Sequence, residues 1–301
     1  MNIENQKTNT ILRSPIKTEQ HPNSEARTGP LKHSSASRRA DSAKIASGFG
    51  RGTRKSIRVR IAHTPEMYEQ AFRIAYEAYV RLGFLNPSPL KLLPSPYQLH
   101  PQARILIAYR NRYPVATMSI YPDAPRGVPS DNQWKEDLDR IRSTGRRLCE
   151  VGSLTVRCEE KKTLDKCLPL FRHAWTYARD IANINTFCAF VRKKHIFFYK
   201  KALLFRKFGK PQCCCWSALT IPNVTPLCVD LPEAERAYRS AGPQAPNTRF
   251  RRIQRFTAKH SQKIISNIRA DLKKLEKIDR DELFDRFENI TAPKCGQQKP
   301  A

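Results

Sequence analysis

Between Ile57 and Ile221 the sequence switches repeatedly between an apolar period of two and one near three and a half, and the order of those switches restricts the fold more than any other feature. Ser56-Ile-Arg-Val-Arg-Ile61 alternates Ile57, Val59 and Ile61 with Ser and Arg, the pattern of a half-buried strand. Thr64-Pro65-Glu66 then supplies an N-cap and a proline at the first helical position. Tyr68, Phe72, Ala75, Tyr76, Tyr79 and Leu82 recur at helical spacing until Gly83. Arg104 to Tyr109 and Val115 to Tyr121 predict a β-hairpin about a polar turn at Arg110-Asn111-Arg112. Asp131 to Ser143 predicts an amphipathic helix through Trp134, Leu138 and Ile141, and Arg147 to Val156 the next strand. A helix follows from about Leu168, which keeps Pro169 in its first turn. A strand over Asn185–Val191, a helix over His195–Phe205 and a closing strand over Cys213–Ile221 complete the series. The order β-α-β-β-α-β-α-β-α-β predicts an α/β fold, one mixed sheet flanked by helices.

The flanks read differently. Residues 1–55 are rich in Ser, Thr, Asn, Lys and Arg, bury too little apolar surface to offset their ordering entropy, and are expected to be a disordered basic segment. Order is expected over 56–222. Pro232, Pro243 and Pro246 mark a linker over 223–256, and 257–288 predicts one charged amphipathic helix with a stripe of Ile265, Ile268, Leu272, Leu275 and Ile278. Residues 289–301 read as a disordered tail. The stripe suits docking on the core or on a second copy of the chain, or lying on a membrane surface. Inside the core region, the proline-rich run Pro87 to Pro101 reads as a covering loop, and Arg157 to Cys167 as a long loop before the Pro169 helix.

The net charge of +28 is spread along the chain and is not confined to a tail, so anionic partners are expected: nucleic acid, an anionic membrane or an acidic carrier protein. No RNA- or DNA-binding motif is present, so no specific nucleic acid is predicted. Nine cysteines without a paired Cys-x-x-Cys signal neither a disulfide framework nor a zinc site and fit a reducing cytoplasm. With no signal-peptide core and no apolar run of spanning length, the chain is expected to be soluble and cytoplasmic, or peripheral to the inner membrane.

Two segments carry chemistry. Glu150 sits between Leu148 and Val151 on its strand, where burial raises a carboxyl pKa into the range a general base for an amine needs. It could equally hold an incoming ammonium, or be a structural acid paired with Arg146 or Arg147. Tyr199 lies on the inner face of the His195 helix, as a core tyrosine or as a general acid for a leaving thiolate. His195, four residues earlier, is a second donor or a helix cap. Lys161 and Lys162 lie in a strand-to-helix loop, where backbone amides often hold phosphate, but the loop has no glycine. Arg192, Lys193, Lys194, Lys200 and Lys201 form a basic cluster that is either a solvated face or a dock for an acidic carrier. Cys149 reads as a buried inert thiol, and Cys213-Cys214-Cys215 point alternately to opposite faces and hold no metal. Trp175, Phe187 and Phe190 read as aromatic core in preference to an acyl channel.

Val59-Arg-Ile-Ala62 leading into Ala71-Phe-Arg-Ile-Ala-Tyr-Glu-Ala-Tyr79, Arg147-Leu-Cys-Glu-Val151 with Leu154-Thr-Val156, Leu170-Phe-Arg172 to Tyr177-Ala-Arg179, and Val191 to Phe208 stand in an order that resembles the N-acyl amino acid synthases of FeeM type. That family is a branch of the GCN5-related N-acetyltransferase (GNAT) superfamily and is similar in turn to the acyl-homoserine lactone synthases. The resemblance implies a GNAT-like sheet and transfer of a long acyl chain from acyl carrier protein, or from coenzyme A, to the α-amine of an amino acid, without a cofactor. It places the strand acid at Glu150 and the thiolate-protonating tyrosine at Tyr199. Backbone amides among Gly152, Ser153, Leu154, Thr155 and Val156 would stabilise the oxyanion, with direct attack in a ternary complex. The sequence departs from the family in having no glycine-bearing pyrophosphate loop over Arg157–Cys167, and in Leu203-Leu204-Phe205 where Leu-Gly-Phe is usual. An acyl-homoserine lactone synthase, which would need a site for S-adenosylmethionine, and a non-catalytic anion-binding protein on the same fold are the rival expectations.

Overall fold

Strand β1 (Arg58–Ile61) lies at one edge of an eight-stranded sheet and pairs antiparallel with β2 (Arg104–Arg110), which pairs with β3 (Tyr113–Pro122), which pairs with β4 (Leu148–Val156). The single parallel pair joins β4 to β5 (Thr186–Arg192), and β5 continues antiparallel to β8 (Leu219–Asp230). The far edge of β8 is shared by β6 (Arg206–Lys207) and β7 (Gln212–Trp216). This computed structural model describes residues 57–157, 164–216, 219–240, 261–288 and 290. All of them belong to one unit spanning Arg54–Ala301. The expected disordered segment 1–55, Lys161 and Lys162, residues 241–256 of the expected linker and the tail from 291 lie outside the described residues.

Helix α1 (Pro65–Arg81) starts as its sequence dictates, the Thr64 hydroxyl accepting the Met67 amide at 3.3 Å with Pro65 at the first position. The proline-rich run contains a four-residue helix, α2 (Pro96–Leu99), capped by Ser95, and Gln98 donates to the Ser119 hydroxyl at 2.9 Å on β3. The covering loop is thus pinned to the sheet. Helix α3 (Asp131–Arg142) lies on the same face, where Trp134 and Leu138 pack with Leu148 and Cys188. Tyr79 of α1 packs against that cluster too. Helices α4 (Leu164–Asp180) and α5 (Lys193–Ala202) cover the other face, Trp175 against Phe187 and Phe171 against Tyr199. Trp175, Phe187 and Phe190 are core aromatics. Covered on both faces, β3 buries successive positions from Val115 to Tyr121.

The hairpin between β2 and β3 closes through Asn111 and Arg112, with φ of 51° and 69°. Two positive φ values define a type I′ turn, which favours Asn followed by Gly. Arg112 is exposed there and has the cost of a left-handed residue without compensating burial. Arg112→Gly is expected to raise unfolding stability by about 1 kcal/mol in chemical denaturation; an unchanged midpoint would refute that reading of the turn.

Four boundaries differ from the sequence expectation. Helix α4 begins at Leu164, so Pro169 sits in its second turn, and the early turns carry the buried Lys166 and Cys167. The closing strand is a hairpin of β7 and β8, and β8 runs through the expected linker to Asp230. Pro226 is tolerated because its carbonyl accepts from Phe208 on the side away from β5, so its nitrogen faces that side as well, between the β7 and β6 pairings. A further helix, α6 (Leu231–Ser240), then packs Tyr238 against Trp175. Finally, the expected single C-terminal helix is two, α7 (Ser261–Leu275) and α8 (Arg280–Glu288). Asp279 causes the break: its carboxylate accepts the Asp281 and Glu282 amides at 2.9 and 3.1 Å and starts a new helix.

The stripe of α7 is covered by α4 and β1, and it contains a buried acid as well as Ile264, Ile268 and Leu275. Asp271 accepts Arg60 Nε at 2.9 Å on both oxygens, Arg60 Nη2 at 2.5 Å and the Ile61 amide at 2.9 Å. The stripe therefore docks on the core. Among the described residues no helix is long and apolar enough to cross a membrane.

Candidate active site

Parallel pairing of β4 with β5 lasts only three residues, Leu148 with Thr186, Cys149 with Phe187 and Glu150 with Cys188. Beyond Glu150 the two strands part, β5 staying with β8 while β4 stays with β3. A gap in the middle of the sheet thus opens directly after the acid. On the β3 side, Thr117 pairs with Thr155 but Ser119 with Gly152, so β4 carries one extra residue at Ser153–Leu154. Ser153 has φ of 50°. Such a bulge takes backbone amides out of the ladder and turns the strand, here on the rim of the gap. The Thr155 hydroxyl is buried with no hydrogen-bond partner in this same stretch.

Glu150 is 4% exposed and opposite Tyr121 of β3. Arg146 pairs with Asp230 and Arg147 binds Asn183, so neither neighbouring arginine serves as its counter-ion. One carboxylate oxygen accepts the Ser130 amide at 3.0 Å, and the other lies toward Gly152. Burial pushes the Glu150 carboxyl up to about 8, opposed by the Ser130 hydrogen bonds and reinforced by Asp131. A Cβ on Gly152 would stand 3.3 Å from the Tyr121 ring and 3.6 Å from Glu150 Oε1, so glycine keeps space beside the acid.

Tyr199 comes from the opposite layer. Its ring is held edge-on by Phe171, Phe198 and Phe205 at centroid distances of 5.2–5.6 Å. Burial raises its phenol far above the ordinary value, so it stays protonated at any working pH and can donate a hydrogen bond. Tyr79, on the Glu150 side of the sheet, adds to the raised values of both Tyr121 and Tyr199 and so lies within electrostatic reach of each. Glu150 and Tyr199 therefore do not share one face. His195 does not share the inner face of Tyr199 either: it is exposed in the first turn of α5. Leu204 takes φ of 60°, and the Phe205 amide returns to the Tyr199 carbonyl at 3.1 Å. The left-handed turn that glycine would make is thus kept by a leucine.

Sequence reading missed a set of groups around Glu150. The Tyr121 hydroxyl meets the Ser153 hydroxyl at 3.1 Å, and Tyr97 packs edge-on against Tyr121 at 6.4 Å. Arg126 lies over the Tyr97 ring at 5.5 Å. Burial raises the Tyr97 phenol, Arg126 opposes that, and Asp131 and Glu150 reinforce it. Asp131 is occupied by Arg142 and the Val128 amide. The proline-rich context of Tyr97 and Arg126 carried no periodic signal, although an aromatic and an arginine amid prolines were visible. On α5, Lys193, Lys194, Lys200 and Lys201 are exposed, Arg192 packs over Phe84 at 4.7 Å, and Phe197 is 67% exposed among the lysines. Among the described residues no group of three or more His, Cys, Asp or Glu is placed to hold a metal.

Residues 70–219 match the family model described as N-acyl amino acid synthase FeeM. Among solved structures, FeeM itself, an N-acyl amino acid synthase from uncultured soil microbes, is 22% identical with a TM-score of 0.52, over 60% of this chain and 93% of that one. The acyl-homoserine lactone synthase LasI is 12% identical with a TM-score of 0.46, over 59% and 91%. The coenzyme A-dependent acyl-homoserine lactone synthase BjaI is 15% identical with a TM-score of 0.44, over 64% and 90%. No curated protein sequence matches this chain. The likeness to the FeeM structure speaks for the fold, and the family model for the lineage. Residues 70–219 therefore make this chain an acyltransferase with the catalytic core of the N-acyl amino acid synthase (FeeM) family, on a GNAT-like fold.

Proposed function

We propose that the chain transfers a long acyl group from a carrier-protein thioester to the α-amine of an amino acid. The observation that carries this reading is the opening of the β4–β5 gap immediately beyond a buried carboxylate whose pKa is about 8. A thioester in the gap would present its carbonyl carbon to an amine beside Glu150. Glu150 takes the proton from the ammonium, the amine nitrogen bonds to the carbonyl carbon, and the C–S bond breaks as the tetrahedral intermediate collapses. Tyr199 gives its proton to the departing thiolate, and the second proton of the attacking nitrogen, lost as the amide forms, restores the phenol. Backbone amides of the Gly152–Val156 stretch stabilise the oxyanion, a contribution of roughly 3 kcal/mol per donor. No acyl-enzyme is required.

An amino acid has a second charge to satisfy. Arg126 lies over the Tyr97 ring, which packs on Tyr121 opposite Glu150, so a cation and the acid flank the same pair of aromatic rings. Arg126 would hold the acceptor's α-carboxylate while Glu150 takes its ammonium. The donor end is supported by α5, whose exposed lysines surround the exposed Phe197 and suit an acidic carrier with one apolar contact. Such docking should favour the carrier-bound donor over coenzyme A and weaken with salt.

The test compares kcat/KM for an amino acid with that for its decarboxylated amine. Wild type should prefer the amino acid. Arg126→Ala should shrink that preference by roughly ten- to a hundredfold, the loss of one charged hydrogen-bonding partner. An undiminished preference in Arg126→Ala would remove the acceptor assignment, and equal use of both acceptors by wild type would remove the amino-acid reading.

A further inference from the structure

The end of β4 opposite the gap holds a cavity of about 380 Å³, which the acyl-transfer reading does not use. It lies where Arg147 precedes β4, the Asn183–Asn185 turn leads into β5, and α6 begins at Leu231. Four guanidiniums line it, those of Arg147, Arg179, Arg236 and Arg239, against a single lining carboxylate, Glu235.

That carboxylate is fully committed. Glu235 is 6% exposed; Oε1 accepts Trp175 Nε1 at 2.8 Å and Arg179 Nη1 at 2.7 Å, and Oε2 accepts Arg239 Nη2 at 3.2 Å. The rest of Arg179 binds Asp180. With two carboxylates against four guanidiniums, two positive charges are left over. They belong to Arg147, whose side chain binds only neutral Asn183 groups, and to Arg236, whose guanidinium makes no hydrogen bond or ion pair among the described residues. A concave wall with uncompensated arginines concentrates anions, and guanidiniums pair bidentately with phosphate oxygens. Ile184, Leu231 and Pro232 give the same wall an apolar part. The volume lies in the range of small-ligand sites and is far too small for a macromolecule.

We propose that this cavity binds a small organic phosphate, its phosphoryl group between Arg147 and Arg236 and its body against Ile184 and Leu231. The occupant would join the ends of β4 and α4 to the start of α6, three residues along β4 from Glu150.

The test is calorimetric titration of the full chain with adenosine 5′-monophosphate at roughly physiological salt, where diffuse attraction to a basic surface is screened. Saturable binding at one site per chain is expected, with inorganic phosphate competing. Arg236→Gln and Arg147→Gln should each weaken it about tenfold or more. The Arg236 guanidinium has no partner among the described residues, so its variant keeps the folded state intact. A charge-matched control, Lys263→Gln on the exposed side of α7, should bind as wild type does. Absence of saturable binding, equal weakening in the control, no competition by phosphate, or wild-type affinity in both arginine variants would overturn the proposal. None of these readouts depends on acyl transfer.

Discussion

Glu150→Gln is expected to be more stable than the wild type at neutral pH while losing acyl transfer. The ordinary carboxyl value is 4.5 and burial raises Glu150 to about 8 in the fold. Between those values the unfolded chain has lost the proton and the folded chain keeps it, so folding takes up a proton. The contribution of Glu150 to stability is therefore complete below 4.5 and is lost as pH rises toward 8. At pH 7 the ionisation favours the unfolded state by about 3 kcal/mol. Glutamine can still accept the Ser130 amide at the same place and has no charge to lose. The variant should melt several degrees higher at pH 7 and match the wild type near pH 4. The rate should fall by roughly 10²- to 10⁴-fold, the usual contribution of a positioned base. Equal melting temperatures across this range would show that Glu150 is not held as a buried acid.

The second large effect concerns the C-terminal helices, which lie outside the family match. Asp271→Ala removes both the carboxylate that clamps Arg60 and the acceptor for the Ile61 amide, at the edge strand β1. Breaking a buried ion pair on one side costs about 3–5 kcal/mol, because the partner groups remain unsatisfied. The loss should be concentrated locally. Amide exchange should accelerate in α7, α8 and β1, with β4 and β5 still protected. Retained protection in α7 together with an unchanged melting temperature would show that the apolar stripe holds these helices without the acid. Because α8 also touches α2, which carries Tyr97 and Gln98, release of the C-terminal helices should loosen the covering segment as well.

The longer strands and helices of residues 57–216 were legible because each buries a face with a clear period, and the Thr64–Pro65 cap is as local as a signal can be. What failed was punctuation. Residues 223–256, marked by Pro232, Pro243 and Pro246, read as a linker, yet β8 runs on to Asp230, and Pro226 sits in it where its missing N–H costs nothing, since the neighbour on that side changes from β7 to β6. Pro169 was placed in a first turn, whereas packing draws Lys166 and Cys167 into the helix ahead of it. Asp279 looked like one more charge on a long polar face, and only its amide partners reveal it as a cap. Asp271 likewise belongs to the buried stripe because Arg60 waits opposite, a long-range pairing that periodicity cannot express.

The site divides in the same way. Glu150 stood out as an acid among apolar neighbours, and its burial and raised pKa follow from that setting. Tyr199 was visible on its helix, but its placement across the sheet from Glu150 depends on where β4 and β5 part, which is a property of pairing. Tyr97, Tyr121 and Arg126 come together from a loop, a strand and another loop. His195 shows the limit of spacing arguments, since four residues before Tyr199 it nevertheless lies on the exposed side of α5.

The most direct test of acyl transfer at this site is a single-turnover reaction of the full chain with a long-chain acyl carrier protein and an amino acid, read by mass spectrometry for wild type, Glu150→Gln and Tyr199→Phe. Wild type should form the N-acyl amino acid at a rate that climbs as pH passes about 8, with both variants folded and at least about a hundredfold slower. Undiminished product from folded Glu150→Gln, or release of free fatty acid without N-acyl product by the wild type, would contradict it.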